Sequence, residues 1–126
     1  MKKRIQTSNA PNALGPYSQA VVTDTLVFCS GQGPIDPETN SLVEGDVAVQ
    51  TERTMKNIGA LLAEMGLDFG DVVKSTCYLK DMDDFKAFNE VYGSYLPEPY
   101  PARTTIQAAR LPLDILVEIE VIAQKR

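Results

Sequence analysis

Arg103 lies in the segment Tyr100-Pro101-Ala102-Arg103-Thr104-Thr105, where strand alternation sets Arg103, Thr105 and Gln107 on one face, opposite Thr104, Ile106 and Ala108. A guanidinium among small and hydroxylated side chains presents a rigid fork that can hold a carboxylate through two parallel hydrogen bonds. The alternative for Arg103 is a structural ion pair with Glu118 or Glu120 on a neighbouring strand. Those two carboxylates stand in Val117-Glu118-Ile119-Glu120, and a carboxylate flanked by aliphatics holds its proton more tightly, in the range where it can serve as an acid or base. Tyr17 follows the Gly15-Pro16 turn at the start of a strand, where it is either a pocket residue or a half-buried part of a capping turn. Ser30-Gly31-Gln32-Gly33-Pro34 leaves another strand, and its glycines let backbone amides approach a ligand closely. That segment is no dinucleotide fingerprint, because it lacks the third glycine and the following helix. Asn89 adds a neutral polar group on a helix, and Thr105 can donate or accept one hydrogen bond.

The chain has no histidine, which excludes Ser-His and Cys-His catalysis and the usual His-ligated zinc. Proton transfer must then use a carboxylate, tyrosine, lysine, backbone group or water. A net charge of −5 offers no general attraction to nucleic acid. Cys29 and Cys77 both sit in apolar-alternating stretches, so they are expected as buried thiols rather than a disulfide or metal site. The basic start Met1-Lys2-Lys3-Arg4 runs into the polar Ile5-Gln6-Thr7-Ser8-Asn9 and does not continue as a signal peptide. No apolar run reaches membrane-spanning length, and a cytoplasmic protein is expected.

These residues need elements to hold them. With 126 residues, 44% apolar and 23% charged, and no linker, the chain reads as a single domain over 1–126. One helix is predicted from the cap Asp46 to the stop at Gly66, with Val47, Thr51, Met55, Ile58, Leu62 and Met65 at helical spacing. A second begins after Asp81, carries Phe85, Phe88, Tyr92 and Leu96 on one stripe, and ends at Pro97 and Pro99. Strands are predicted near Ile5 and over 18–23, 26–30, 72–79, 102–109 and 115–123. On the 72–79 strand, Val73, Ser75, Cys77 and Leu79 alternate against Val72, Lys74, Thr76 and Tyr78. The resulting order is β-β-β-α-β-α-β-β, an α+β fold. In the last strand Ile115, Val117, Ile119 and Val121 form an apolar face for the helices, while Leu116, Glu118, Glu120 and Ile122 mix carboxylates with aliphatics. Two helices cover only one face of such a sheet, so self-association is expected to cover the other.

Across its whole length the chain resembles the Rid (YjgF) family of reactive-intermediate deaminases, in its RidA branch. The resemblance rests on Thr7-Ser8-Asn9-Ala10-Pro11, Gly15-Pro16-Tyr17-Ser18-Gln19, Ser30-Gly31-Gln32, Phe88-Asn89-Glu90-Val91-Tyr92, Pro101-Ala102-Arg103 and Leu116-Val117-Glu118-Ile119-Glu120. It implies a chorismate-mutase-like fold: one mixed sheet with two helices on one face, in a homotrimer whose sheets form an inner barrel around three intersubunit clefts. It also implies cofactor-free hydrolysis of 2-aminoacrylate or 2-aminocrotonate, or their imines 2-iminopropanoate and 2-iminobutanoate, to 2-keto acids and ammonia. Such intermediates leak from pyridoxal-phosphate-dependent serine/threonine dehydratases, which makes a functional link to such an enzyme. By resemblance, Arg103 would bind the carboxylate, Glu118 would position or activate water, and Tyr17 would close the pocket from the adjoining subunit. Ser30, Gly31 and Asn89 would line it. Many relatives have cysteine where this chain has Thr105, and a residue smaller than Thr104 after the arginine. Two other functions remain open: a non-catalytic keto-acid-binding regulator, and an endoribonuclease or translation inhibitor. Acidity and the missing histidine weigh against the second.

Overall fold

The computed structural model describes residues 2–126; Met1, the first residue of the basic start, lies outside them. Six strands make one mixed sheet in the order β1-β2-β3-β8-β6-β7. They are β1 (Lys3–Ile5), β2 (Ala20–Val22), β3 (Leu26–Gln32), β6 (Val72–Leu79), β7 (Ala102–Gln107) and β8 (Val117–Gln124). All neighbours are antiparallel except β6 and β7, which are parallel and joined through the helix α2 (Phe85–Ser94). The helix α1 (Val47–Glu64) precedes β6. The expected α+β fold, a mixed sheet with two helices, is what forms.

The first predicted cap and the predicted stop act as such. Asp46 accepts a hydrogen bond from the amide of Val49 at 3.0 Å. Gly66, at φ +72°, closes α1 with the paired bonds Leu67 N to Leu62 O (2.9 Å) and Gly66 N to Ala63 O (3.0 Å), which satisfy the last carbonyls. Asp81 caps a single turn of 3-10 helix, Met82–Asp84, so that α2 starts at Phe85, later than expected. Leu96 lies beyond the end of α2 but is still buried.

Other departures come from backbone features that alternation does not encode. A small hairpin, β4 (Ile35–Asp36) with β5 (Ser41–Leu42), was not expected; Asn40 turns it at φ 55°. Val73 was assigned to the face of Ser75, Cys77 and Leu79, yet Val72 is 5% exposed and Val73 41%. A bulge between Val72 and Lys74 shifts the register and reverses the assignment. Ile115 and Leu116 precede β8 rather than opening it, because residues 112–114 form a 3-10 turn with Leu113 at φ 59° and Asp114 at φ 54°.

The core lies between the sheet and the helices. Val117, Ile119, Val121 and Ala123 of β8 meet Met55, Ile58, Leu61 and Leu62 of α1 and Phe88 of α2, all buried. The opposite face carries Glu118, Glu120 and Ile122, half-buried, with the exposed Phe28, Val73 and Ile106. Among the described residues no helix covers it.

Candidate functional site

Glu118 projects from the helix-free face of β8, because its neighbours Val117 and Ile119 are turned into the core. Its carboxylate rests on the backbone of Gly31. A Cβ at position 31 would meet Glu118 Oε2 at 2.6 Å and Cδ at 3.1 Å, so a side chain there would displace the carboxylate. Over it opens a depression of about 270 Å³ walled by Pro11, Leu14, Tyr17, Ile35, Leu113 and Ile115. Burial in this mostly apolar setting, and secondarily the charge of Glu120, raise the Glu118 pKa above the usual carboxylate value. Among the described residues no group hydrogen-bonds this carboxylate, which leaves it available to a water.

The walls of the depression are held by three buried carboxamides. Gln19 accepts from Thr7 N at 2.7 Å and donates to the carbonyls of Thr7 (3.0 Å), Ala10 (3.3 Å) and Pro11 (2.7 Å), pinning the segment that leads to Tyr17. Asn57 Nδ2 donates to Gly33 O at 3.0 Å and Ile35 O at 2.8 Å, which holds the glycine loop; Arg53 fixes the Asn57 amide from the other side through Nε and Nη2. Gln50 links Val43 O to the amide of Leu116. Buried amides must be paired in this way, and here the pairing shapes a pocket. Sequence reasoning missed all three. The available signal was polar residues at core positions of α1, Gln50 and Asn57 beside the apolar stripe.

Arg103 is elsewhere. It stands opposite Ser75 in the parallel β6–β7 pair, and Ser75 faces the helices, so Arg103 does too. Its Nη1 donates to Asn89 Oδ1 at 2.7 Å. Its guanidinium carbon lies 5.0 Å from the ring centroid of Tyr92, 5.4 Å from Phe85 and 5.9 Å from Phe88. The Tyr92 hydroxyl is fastened to Ser75 Oγ at 2.5 Å. The helix stripe read only as core is therefore also a platform for the cation. No carboxylate pairs with Arg103 among the described residues, and the ion pair with Glu118 or Glu120 does not form because those residues point from the other face of the sheet. Asn89, Tyr100, Pro101 and Arg103 border a second, open depression of about 480 Å³.

The remaining expected residues divide between these two places. Tyr17, 53% exposed, lies in the depression of Glu118, its hydroxyl accepting from Leu14 N at 3.4 Å. Tyr17 and Glu118 line the same depression of this chain, while Arg103 is separated from both by the thickness of the sheet. Ser30 donates its hydroxyl to Ser18 O at 2.6 Å and serves the chain rather than the depression. The Thr105 hydroxyl is buried without a hydrogen bond of good geometry, on the Arg103 side beside Cys77. Burial pushes the Cys77 thiol up to about 11 and that of Cys29 up to about 12, so both are inert near neutrality. Among the described residues no cluster of His, Cys, Asp and Glu could hold a metal ion, and no helix is long and apolar enough to cross a membrane.

Residues 7–125 match the family model described as endoribonuclease L-PSP. The chain is 49% identical over 122 residues to the chloroplastic Reactive Intermediate Deaminase A of Arabidopsis thaliana, covering 97% of this chain and 65% of that protein. Among solved structures it is similar to RidA from an Antarctic Psychrobacter, at 46% identity and a TM-score of 0.94, covering 98% of this chain and 99% of that one. It is also similar to E. coli TdcF with bound serine, at 40% identity and a TM-score of 0.92, again covering 98% and 99%.

Proposed function

The chain belongs to the endoribonuclease L-PSP family, which includes the Rid proteins, and from that premise we propose that it hydrolyses small 2-imino acids and their enamine tautomers to 2-keto acids and ammonia. One observation carries the reading: among the described residues Arg103 is a guanidinium with no carboxylate partner, held by neutral groups with donors to spare. Such a group awaits an acid from outside. A relative with bound serine is consistent with a small amino-acid-like ligand.

In the proposed reaction Arg103 and Asn89 fix the substrate, and Thr105 supplies its unused hydroxyl. Glu118 takes a proton from water as the oxygen bonds to C2, and the C=N electron pair goes to nitrogen, which gains that proton. The tetrahedral intermediate then collapses: its hydroxyl proton passes through Glu118 to nitrogen, C=O forms, and ammonia leaves. No cofactor enters the balance. Because Arg103 and Glu118 lie on opposite faces of one sheet, the working cleft takes Arg103, Asn89 and Thr105 from one subunit and Glu118, Gly31 and Tyr17 from its neighbour, in a homotrimer whose helix-free faces form an inner barrel. We place it in the cytoplasm, beside a pyridoxal-phosphate-dependent dehydratase that releases its substrate.

A coupled assay timing keto-acid release from dehydratase-generated 2-aminoacrylate tests this. Wild type should accelerate release over the spontaneous rate, and Arg103→Ala should not. Equal rates with and without the protein would leave a keto-acid-binding role. Cleavage of RNA that survives in Arg103→Ala would establish the nuclease activity as a separate one.

A further inference from the structure

Beside Glu118 lies a second polar group that the reaction above does not use. Glu120 is two residues along the same face of β8, about 7 Å away at strand spacing. Tyr78 of β6 stands directly opposite Glu118 in the antiparallel register, yet its hydroxyl reaches diagonally to Glu120 Oε1 at 2.7 Å. Three groups that gain or lose protons thus share one half-buried patch, and the only hydrogen bond among them goes to the carboxylate further from Gly31.

We propose, building on the assignment of Glu118 as the base, that Glu120 and Tyr78 are positioning residues that set the proton affinity of Glu118. The phenol's hydrogen bond holds the Glu120 carboxylate in place. The fixed negative charge of Glu120 then opposes ionisation of Glu118, making it a stronger base than an isolated surface carboxylate. Tyr78 is suited to this task because its own ionisation is pushed up to about 12, first by the Glu120 hydrogen bond, so it remains a donor. The titratable groups facing Glu118 in this chain are Glu120 on its own strand, Tyr78 on β6 and Tyr17 from the N-terminal segment. The β3 side presents Gly31, and residues 112–115 present Pro112, Leu113 and Ile115, none of them charged. Among the described residues of this chain, Glu120 is the fixed charge that acts on Glu118; the Arg103 that the proposed cleft brings from a neighbour is the same in every variant compared below.

The sign follows. Glu120→Gln removes a like charge, so Glu118 should lose its proton at lower pH. Tyr78→Phe should lower it by a smaller amount, because the Glu120 carboxylate, no longer held, is free to swing away from Glu118. As a weaker base, Glu118 should also turn over more slowly on the plateau of the pH profile, while activity on the acid limb rises relative to wild type. A merely structural role for the pair would lower activity at every pH and leave the limb in place.

The test is carbon-13 NMR titration of the Glu118 carboxyl in wild type, Glu120→Gln and Tyr78→Phe, its resonance identified by its loss in Glu118→Gln, alongside the pH dependence of kcat/KM. A downward shift in both variants, larger for Glu120→Gln, supports the proposal. An unchanged or raised Glu118 titration in the folded Glu120→Gln or Tyr78→Phe protein overturns it. A shifted titration with an unmoved kinetic limb upholds the coupling but removes Glu118 from the role of base.

Discussion

The single-residue claim most open to experiment concerns the chemistry of the fork at position 103. A small imino acid has few handles besides its carboxylate, so its orientation depends on one planar cation. Arg103→Lys keeps the charge but gives up the parallel pair of hydrogen bonds and most of the stacking on Tyr92, Phe85 and Phe88. Losing a charge-assisted contact costs about 1.5–3 kcal/mol, or roughly a ten- to hundred-fold fall in kcat/KM at ~1.4 kcal/mol per decade. The melting temperature should hardly change, since among the described residues the guanidinium neutralises no buried carboxylate. Steady-state kinetics and a thermal melt on one preparation check both halves. A melting temperature that collapses while kcat/KM per folded molecule stays at the wild-type value would return Arg103 to a structural role.

At the scale of elements, α1 does more than cover the sheet. Asn57 sits on its buried face and spends both amide hydrogens on the loop that follows Gly31. Asn57→Ala would leave the Gly33 and Ile35 carbonyls unsatisfied in the interior, at a cost of about 1–3 kcal/mol for each group that water cannot reach. The urea midpoint should therefore fall without a change in slope, compared at one protein concentration. The residual folded protein should turn over more slowly, because the wall beneath the Glu118 carboxylate loosens. How far such elements could be read in advance varied with the physics that makes them. The caps at Asp46 and Asp81, the stop at Gly66 and the apolar face of β8 are short-range matters of side-chain chemistry and period, and all were legible. The bulge at Val73, the β4–β5 hairpin and the turn at 112–114 arise where register or a positive φ is imposed by neighbours distant in sequence, and alternation alone put Val73 on the wrong face.

For the whole molecule, the separation of Arg103 from Glu118 sets the expectation of a shared cleft. Light scattering should give about 41 kDa, three times the 13.8 kDa chain. A sharper measurement uses two inactive variants. Arg103→Ala and Glu118→Gln, denatured and refolded together in equal amounts, should regain about one quarter of wild-type activity. That is the chance that a cleft draws its arginine and its glutamate from two chains each carrying the intact residue. If both groups of a working site came from the same chain, co-refolding would restore nothing.

Residue types and spacing by themselves determined which chemistry was available: without histidine, proton transfer is left to a carboxylate, tyrosine, lysine, backbone group or water, and an arginine fork in a strand can grip a carboxylate. They also determined the two helices and the strand alternation, because side-chain period and caps are local properties of the chain. Only the tertiary structure decided that Arg103 and Glu118 face opposite sides of the sheet, that an aromatic stripe doubles as a cation platform, and that buried carboxamides hold the pocket walls. Each of those depends on which distant segments become neighbours, and that is set by sheet order and register, which no single segment encodes.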